Sequence, residues 1–398
     1  MLKKYFLAFA FVPMLTYANF NFYKDLSLKP LDTYKFSEKL TYELFQTDKW
    51  PEDIEFNDKS YRIEYTFNEK LTKYIKWQLR RYRSDFASVV VIDNNTGKIL
   101  SAVDYTRQTK KFGKNITFSS TDPAASVFKV ITAADLLENT EVSESSKFSY
   151  VGKATTLYKY QLKDKKSRWV RTIPFEKAFA YSNNVVFGKA AIKNTSYSSL
   201  SQTARKFGFN QNLLQLVNAG TSKLFPSGDD YGLAELASGF NRKTLISPVH
   251  GAIIASIIAN DGVYKKPTLV EKVTDQDFDR VVWQPFYEIE QVLNKTSSEK
   301  LQNMMELTVK RGTARGAFRP WKIKNLKDIH IGGKTGTITG GVPYGKRDWF
   351  VSYAVPQDEN DKGISVCVMI INVKKWYIKS TVMAKKIINY YYTKVNNE

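Results

Sequence analysis

Strand patterns lie near both ends of this chain, and its long middle part lacks them. Residues 86–93 are rich in valine, and Asn-Asn-Thr-Gly separates them from a second apolar run over 98–105, which is typical of a β-hairpin. Three further strand patterns follow at 329–337, 348–355 and 364–373. Because hairpin connections join antiparallel strands, we expect a five-stranded antiparallel sheet assembled from both ends of the chain.

The part between these strands has mainly helical patterns. Apolar residues recur at helical spacing in runs such as 175–180, 199–207 and 248–260. Similar runs at 68–83 and 380–393 flank the strands. We therefore predict an α+β fold in which helices flank the sheet and a mainly helical lobe lies across a cleft from it.

Composition limits the kinds of partner and site. The formal charge of +21 over 398 residues is explained either by solvated surfaces or by attraction to an anionic polymer, lipid or cell wall. No nucleic-acid motif is present, so we expect an anionic cell-envelope surface, and no nucleic acid, as a partner. The single cysteine, Cys367, excludes an intramolecular disulfide, and the two histidines, His250 and His330, exclude a histidine-rich metal site. We expect no metal and no cofactor.

The N-terminus has the pattern of an export signal. Two lysines precede an apolar run over residues 5–17, and Ala18 follows it, so residues 1–18 are predicted to be a signal peptide cut after Ala18. The alternative is an uncleaved membrane anchor. Residues 19–61 are then a short N-terminal segment, either independent or a strap over the main domain, which spans 62–398.

The first of three chemical motifs is Ser126-Val-Phe-Lys129, which follows Pro123 at the start of a helical pattern. Residues three apart share a helix face, so Lys129 is expected beside Ser126. Apolar neighbours desolvate the lysine, which lowers its pKa and makes it a usable base for a serine nucleophile. Ser297 and Lys300 have the same spacing, and there we predict only a helix start at the surface.

Two shorter motifs complete the set. Ser182-Asn-Asn184 follows a helical run, and its hydroxyl and amide suit proton relay and the positioning of a carbonyl or a lysine. Taken alone, such a sequence is more often a helix cap or a turn. Lys334-Thr-Gly-Thr337 ends a strand pattern. Strand alternation places Thr335 and Thr337 on one face, where two hydroxyls and a lysine suit a carboxylate, and Gly336 leaves room for a substrate backbone.

The three motifs in this order resemble the transpeptidase domain of penicillin-binding proteins, of the serine β-lactamase and D,D-peptidase superfamily. The resemblance covers about residues 62–395 and extends to blocks at 65–68, 89–100, 178–184, 258–263, 311–314 and 349–356. The chain departs from the family pattern in Asp122-Pro-Ala-Ala125, where Pro-Gly is usual, and in Ala237-Ser-Gly-Phe240, where Gly-Gln-Gly is common. It implies a stand-alone, reduced transpeptidase unit.

The resemblance also implies roles and partners. Ser126 would be the acylated nucleophile, Lys129 its base, Ser182 the proton donor to the leaving amine, Asn184 the residue that positions the substrate amide, and Lys334 the support of Ser182. Thr335, Gly336 and Thr337 would bind substrate, and the N–H groups of Ser126 and Thr337 would form the oxyanion hole. The implied substrates are D-Ala-D-Ala stem peptides of peptidoglycan, with β-lactam antibiotics and cell-wall synthesis proteins as further partners. The implied location is the periplasm or the outer face of the cytoplasmic membrane.

Three alternatives remain open at this point. They are a D,D-carboxypeptidase, a serine β-lactamase with a lysine base, and a non-catalytic scaffold that keeps the fold. The β-lactamase class usually has Ser-x-Val at the second motif and a shorter catalytic domain, and intact motif side chains disfavour a scaffold.

Overall fold

The computed structural model describes residues 31–218, 220–358, 360–373 and 375–396. The predicted signal peptide and the start of the N-terminal segment lie outside these ranges. Within them, no helix has both the length and the apolar character needed to cross a bilayer.

Twelve α-helices occur in the described ranges. They are α1 (Thr33–Gln46), α2 (Glu69–Tyr82), α3 (Asn115–Phe118), α4 (Lys129–Asn139), α5 (Lys159–Leu162), α6 (Phe175–Ala180), α7 (Asn184–Asn194), α8 (Tyr197–Lys206), α9 (Asp230–Ser238), α10 (Pro248–Ala259), α11 (Lys295–Lys310) and α12 (Ser380–Lys394). Short 3₁₀ turns lie at Ala125–Phe128, Pro320–Lys322 and Lys324–Leu326.

Sixteen strands occur in the same ranges. They are β1 (Asp53–Phe56), β2 (Lys59–Tyr65), β3 (Phe86–Asp93), β4 (Ile99–Thr106), β5 (Lys111–Gly113), β6 (Asp122–Pro123), β7 (Lys147–Tyr150), β8 (Arg171–Pro174), β9 (Leu245–Ile246), β10 (Val263–Lys265), β11 (Val270–Asp275), β12 (Arg280–Trp283), β13 (Ile289–Gln291), β14 (Ile329–Gly340), β15 (Gly345–Pro356) and β16 (Ile364–Asn372).

The central sheet has the strand order β14-β15-β16-β3-β4-β5, and every neighbouring pair is antiparallel. The α+β prediction is confirmed, and the two ends of the chain meet where β16 pairs with β3. The sheet has a sixth strand beyond the five predicted, because the three residues of β5 extend it past β4. Strand β14 is left at the opposite edge.

The sheet is covered on both faces, which explains its continuous apolar runs. Val89 and Val91 belong to one hydrophobic cluster, which also contains residues of α2 and α12. Val90 and Ile92 point to the other side and join the cluster that contains α10. The strands are therefore fixed between two layers of helices.

The helical lobe is built around α4, whose residues from Lys129 to Leu137 are all buried. Helices α7, α8, α9 and α11 surround it. The middle part of the chain is mainly helical, as predicted, and it also contains β7 to β13, none longer than six residues. The 3₁₀ turn before α4 packs against β14, so the lobe meets the sheet at the edge strand.

The N-terminal segment is folded onto this body. Phe36, Leu40 and Leu44 of α1 are buried in the main core. Strand β2 runs across the predicted boundary between residues 61 and 62 and pairs with β11. The described part of the segment therefore shares its packing with the main domain, and the boundary itself stays a prediction.

Candidate active site

Ser126 lies in the 3₁₀ turn that leads directly into α4, and Lys129 is the first residue of that helix. The helical spacing brings the two side chains together, with 3.0 Å between Ser126 Oγ and Lys129 Nζ. Two contacts hold the chain just before the turn. Trp349 Nε1 donates to the Pro123 carbonyl at 3.1 Å, and buried Arg347 pairs with buried Asp122 at 2.6 Å.

The surroundings of Lys129 favour its neutral form. The side chain is fully buried, and burial together with the neighbouring charge of Lys334 holds the pKa of Lys129 well below its usual value. Its Nζ lies 2.6 Å from Asn184 Oδ1 and 2.5 Å from the Ser238 carbonyl oxygen. A neutral amine donates its two N–H groups to these oxygens, and its lone pair then faces the Ser126 hydroxyl.

The second motif connects the lysine to the wall of the cleft. Asn183 caps α7, since its side chain accepts from the Val186 N–H at 3.1 Å. Asn184 holds Lys129 through its oxygen and donates through Nδ2 to the Thr155 carbonyl at 2.9 Å. The predicted cap and the predicted lysine contact therefore both occur, on adjacent residues.

Ser182 has a left-handed backbone with φ 57°, two residues after the end of α6. Its Oγ lies 3.0 Å from Nζ of Lys334, which reaches it from the edge strand β14. Lys334 is fully buried, and burial lowers its pKa to about 7. Ser182 and Lys334 therefore form a second Ser–Lys pair, and its serine lines the same cleft as Ser126.

The threonines of the third motif line the cleft, as strand alternation predicts. The Thr335 hydroxyl lies 2.6 Å from that of Thr313, and Thr337 follows on the same face. A Cβ on Gly336 would lie 3.2 Å from Val127 and 3.3 Å from Trp349. The structure thus adds a packing reason for glycine there, and its role in substrate access stays a prediction.

A cleft of about 550 Å³ opens between the lobe and β14. Its lining includes Ser126, Ser182, Asn184, Thr335 and Thr337 from the motifs, together with Thr155, Tyr181, Gly239, Phe240, Arg242, Thr313, Ile338, Thr339, Lys346, Asp348, Trp376, Lys379 and Thr381. All three motifs therefore contribute to one cleft, and its rim carries more cations than carboxylates.

Several of these residues were not predicted. Ser238 and Thr155 act through backbone carbonyls, which leave no signature in the residue type. Thr313 lies in the block 311–314, which in the sequence supports only the family resemblance. Its neighbour Gly312 lets the backbone approach α6, since a Cβ there would come 2.3 Å from the Ala180 carbonyl oxygen, and this approach places Thr313 at the cleft. Asp348 is buried at the cleft floor, and burial raises its pKa to about 6.

Other reactive residue types lie elsewhere. His250 is buried with its Nε2 2.7 Å from the Phe207 carbonyl, and burial lowers its pKa to about 4. Cys367 is buried in β16, as expected for a strand residue. Ser297 begins a helix, as predicted, but it is buried rather than at the surface, with its hydroxyl donating to Leu137. Within the described ranges, no three His, Cys, Asp or Glu side chains form a metal-binding group.

The family model for the penicillin binding protein transpeptidase domain matches residues 87–389, a span that contains all three motifs. The chain belongs to this family. Its Ser–Lys pairs and the threonines of β14 therefore lie inside the matched domain.

Relatives and solved structures agree with this membership. The chain is 23% identical over 321 residues to peptidoglycan D,D-transpeptidase PbpA of Mycolicibacterium smegmatis, with 71% of this chain and 61% of the relative covered. It is 23% identical over 308 residues to stage V sporulation protein D of Bacillus subtilis, covering 74% and 46%. The chain thus spans less than two thirds of the length of these relatives.

The fold is shared with the crystal structure of penicillin-binding protein A from Mycobacterium tuberculosis. The TM-score is 0.64 at 20% identity, and 82% of this chain and 81% of that chain are covered. A second structure of that protein, at TM-score 0.62, 21% identity and 82% and 79% coverage, is its imipenem acyl-enzyme complex.

Proposed function

We propose that this protein is a serine D,D-transpeptidase that acts on D-Ala-D-Ala stem peptides of peptidoglycan through an acyl-enzyme on Ser126. The observation that carries the proposal is the pair of Ser–Lys contacts at 3.0 Å each, in which two buried lysines reach two half-buried serines that line the same cleft. The relative named peptidoglycan D,D-transpeptidase PbpA, and a β-lactam acyl-enzyme formed by a protein of the same fold, support it.

The first step is acylation. Lys129, held neutral by burial, takes the proton of the Ser126 hydroxyl as Oγ attacks the carbonyl carbon of the penultimate D-Ala. The Asn184 side-chain oxygen and the Ser238 carbonyl accept from the amine of Lys129, so its lone pair is directed toward the Ser126 hydroxyl. The N–H groups of Ser126 and Thr337 are the proposed donors to the oxyanion.

The second step expels the terminal D-Ala. The C–N bond breaks, and the leaving nitrogen receives a proton through the hydroxyl of Ser182, which Lys334 supports at 3.0 Å. Thr335 and Thr337, with Lys334 behind them, bind the terminal carboxylate of the substrate. An amine from a second strand then attacks the ester carbonyl carbon and gives up a proton through Ser182. The C–O bond to Ser126 breaks as Lys129 returns its proton to Oγ, which leaves the cross-link and the free serine. Water in its place would give a carboxypeptidase.

Substrate and location follow from the same chemistry. A β-lactam presents a strained amide and a carboxylate, so it would enter the same cleft and acylate Ser126. Because peptidoglycan lies outside the cytoplasmic membrane, we propose that the protein works in the periplasm or on the outer face of that membrane. Cell-wall synthesis proteins are the proposed protein partners.

The test is intact-mass analysis after incubation with a labelled penicillin. A stable adduct of one drug per chain is expected on the wild type and should be absent from Ser126→Ala. Ser297→Ala is the matched control, since it removes the hydroxyl of the other Ser-x-x-Lys sequence and should still be acylated. Rapid drug hydrolysis would support the β-lactamase alternative, and an inert Ser126 would support the scaffold.

A second assay separates cross-linking from trimming. The protein is given uncross-linked peptidoglycan strands, and the products are digested and analysed for dimeric peptides and free D-Ala. Dimers that need Ser126 support the transpeptidase. Free D-Ala without dimers would instead assign a D,D-carboxypeptidase.

A further inference from the structure

A cation-rich segment lies beside the cleft and is not used in the proposed chemistry. Residues 151–171, here called the basic arm, run from the end of β7 to the first residue of β8 and contain seven lysines and arginines but one acidic residue, Asp164. Asp164 is bound by Lys189 and Lys193 of α7, at 2.5 and 2.8 Å. In the part of the chain that the structure describes, Lys153, Lys166 and Arg168 form no ion pair.

The basic arm is firmly attached at its base. Gln161 is fully buried, and its side chain donates to the Val151 carbonyl and accepts from the Tyr158 N–H, both at 2.9 Å. The Tyr231 hydroxyl of α9 donates to the Leu157 carbonyl at 2.9 Å. These contacts fix the backbone, while the cationic side chains are left exposed to solvent.

The arm also continues the wall of the cleft. The Asn184 N–H donates to the Ala154 carbonyl at 2.7 Å, and the Asn184 side chain donates to Thr155. Thr155 lines both the cleft and a second, open hollow of about 780 Å³. That hollow is lined by Lys153, Arg168 and Trp169, among others, and the Trp169 ring is 69% exposed.

We infer that the basic arm binds the anionic glycopeptide strand of the substrate where it leaves the cleft. The inference rests on the proposed function and adds a substrate class to it, namely polymeric strands with free peptide carboxylates. Lys153, Lys166 and Arg168 bind carboxylates of the strand, since the one carboxylate of the arm, Asp164, is already bound by Lys189 and Lys193. The Arg168 guanidinium lies 4.7 Å from the Trp169 ring, and the rest of this exposed ring gives an apolar surface for a sugar.

The test measures binding of soluble, uncross-linked peptidoglycan strands to the full chain at low and moderate salt. The variant Lys153→Gln, Lys166→Gln, Arg168→Gln is expected to bind about tenfold more weakly, since exposed charge contacts add modestly. The control variant Arg205→Gln, Lys206→Gln, Lys327→Gln removes three exposed cations outside the cleft and should bind as the wild type does. Trp169→Ala, which keeps all charges, should lose about threefold.

A second probe tests whether the carboxylates of the strand are the charges that the basic arm binds. Strands whose carboxylates are amidated should bind the wild type about tenfold more weakly, and the arm variant should show no further loss. Equal losses in the arm and control variants, or unchanged binding in the arm variant, would overturn the inference. Tighter binding to vesicles of anionic lipid, lost in the arm variant, would overturn it in favour of a membrane surface.

Penicillin acylation distinguishes the two proposals. The arm variant should be acylated within about twofold of the wild-type rate, because none of its three substituted side chains lines the cleft around Ser126. A wild type that penicillin fails to acylate contradicts the proposed function, whereas the strand-binding result decides the role of the arm without any chemical step.

Discussion

Gly239 is the position where a single methyl group is expected to disable the nucleophile. It ends α9 with a left-handed φ of 63°, directly after the Ser238 carbonyl that accepts from Lys129. A Cβ built there would lie 1.8 Å from the Ala125 carbonyl oxygen and 3.1 Å from the Ser126 nitrogen. Ordinary contact begins near 3.4 Å, so either the nucleophile turn or the end of α9 must shift by more than about 1 Å.

The expected loss follows from this displacement. A misplacement of about 1 Å between reacting groups lowers a rate about 100-fold, which corresponds to about 2.7 kcal/mol in the barrier. The left-handed backbone adds about 1 kcal/mol of destabilisation for alanine. The second-order rate of acylation of Gly239→Ala by penicillin, measured by intact mass over time, should therefore fall at least about 100-fold, with a lower melting temperature.

The matched control is Gly228→Ala, nearby on the chain, where a Cβ meets nothing within 4 Å. Its acylation rate should stay within about twofold of the wild type. If Gly239→Ala were acylated within threefold of the wild-type rate, the contact between Gly239 and the nucleophile turn would not be what positions Ser126.

Three further predictions concern buried charges. Because burial lowers the pKa of Lys334 to about 7 while the unfolded chain keeps the usual 10.5, the unfolded chain binds more protons between these values and stability rises with pH there. The free energy of unfolding, measured in urea, should rise less between pH 7 and pH 9 in Lys334→Met than in the wild type. An equal rise in the two proteins would contradict the lowered pKa of Lys334. Asp122→Asn leaves the Arg347 guanidinium buried without its carboxylate and should destabilise by about 3 kcal/mol in urea, and a change below 1 kcal/mol would be inconsistent with a buried pair. Lys114→Met removes the buried ammonium that binds two carbonyls after α1, so limited proteolysis should cut residues 47–50 faster than in the wild type, and unchanged cutting would rule out this anchoring.

The main strands and helices were visible in the sequence because each is long enough to show its own period. The predicted hairpin at 86–105 and the late strands correspond to β3, β4 and β14 to β16, and the helix predicted at 68–83 is α2 with Asn68 as its cap. Strand β5 and the strands from β6 to β13 have two to six residues, too few for a reliable alternation. They were missed for that reason.

The candidate site was predictable in its side chains and not in its backbone. Ser126, Ser182 and Lys334 belong to motifs whose residue types carry the chemistry. The carbonyl of Ser238, 109 residues along the chain from Lys129, is equally close to the lysine but could belong to any residue. The carbonyl of Thr155, which accepts from the Asn184 side chain, could likewise belong to any residue. The position of the basic arm beside the cleft therefore appeared only in the structure.

The two buried lysines show how one residue type takes two roles. Both are fully buried, and neither has a carboxylate partner in the described ranges. Burial and the repulsion of Lys334 favour the neutral amine of Lys129, while its two oxygen acceptors, Asn184 and Ser238, fix its orientation. Lys334 is lowered only to about 7, so a substrate carboxylate held by Thr335 and Thr337 would raise its pKa and favour its charge. A charged Lys334 in turn disfavours protonation of Lys129. Binding of the carboxylate would therefore prepare the base at the moment when the nucleophile needs it, which is the reason a site without histidine can divide base and cation between two lysines.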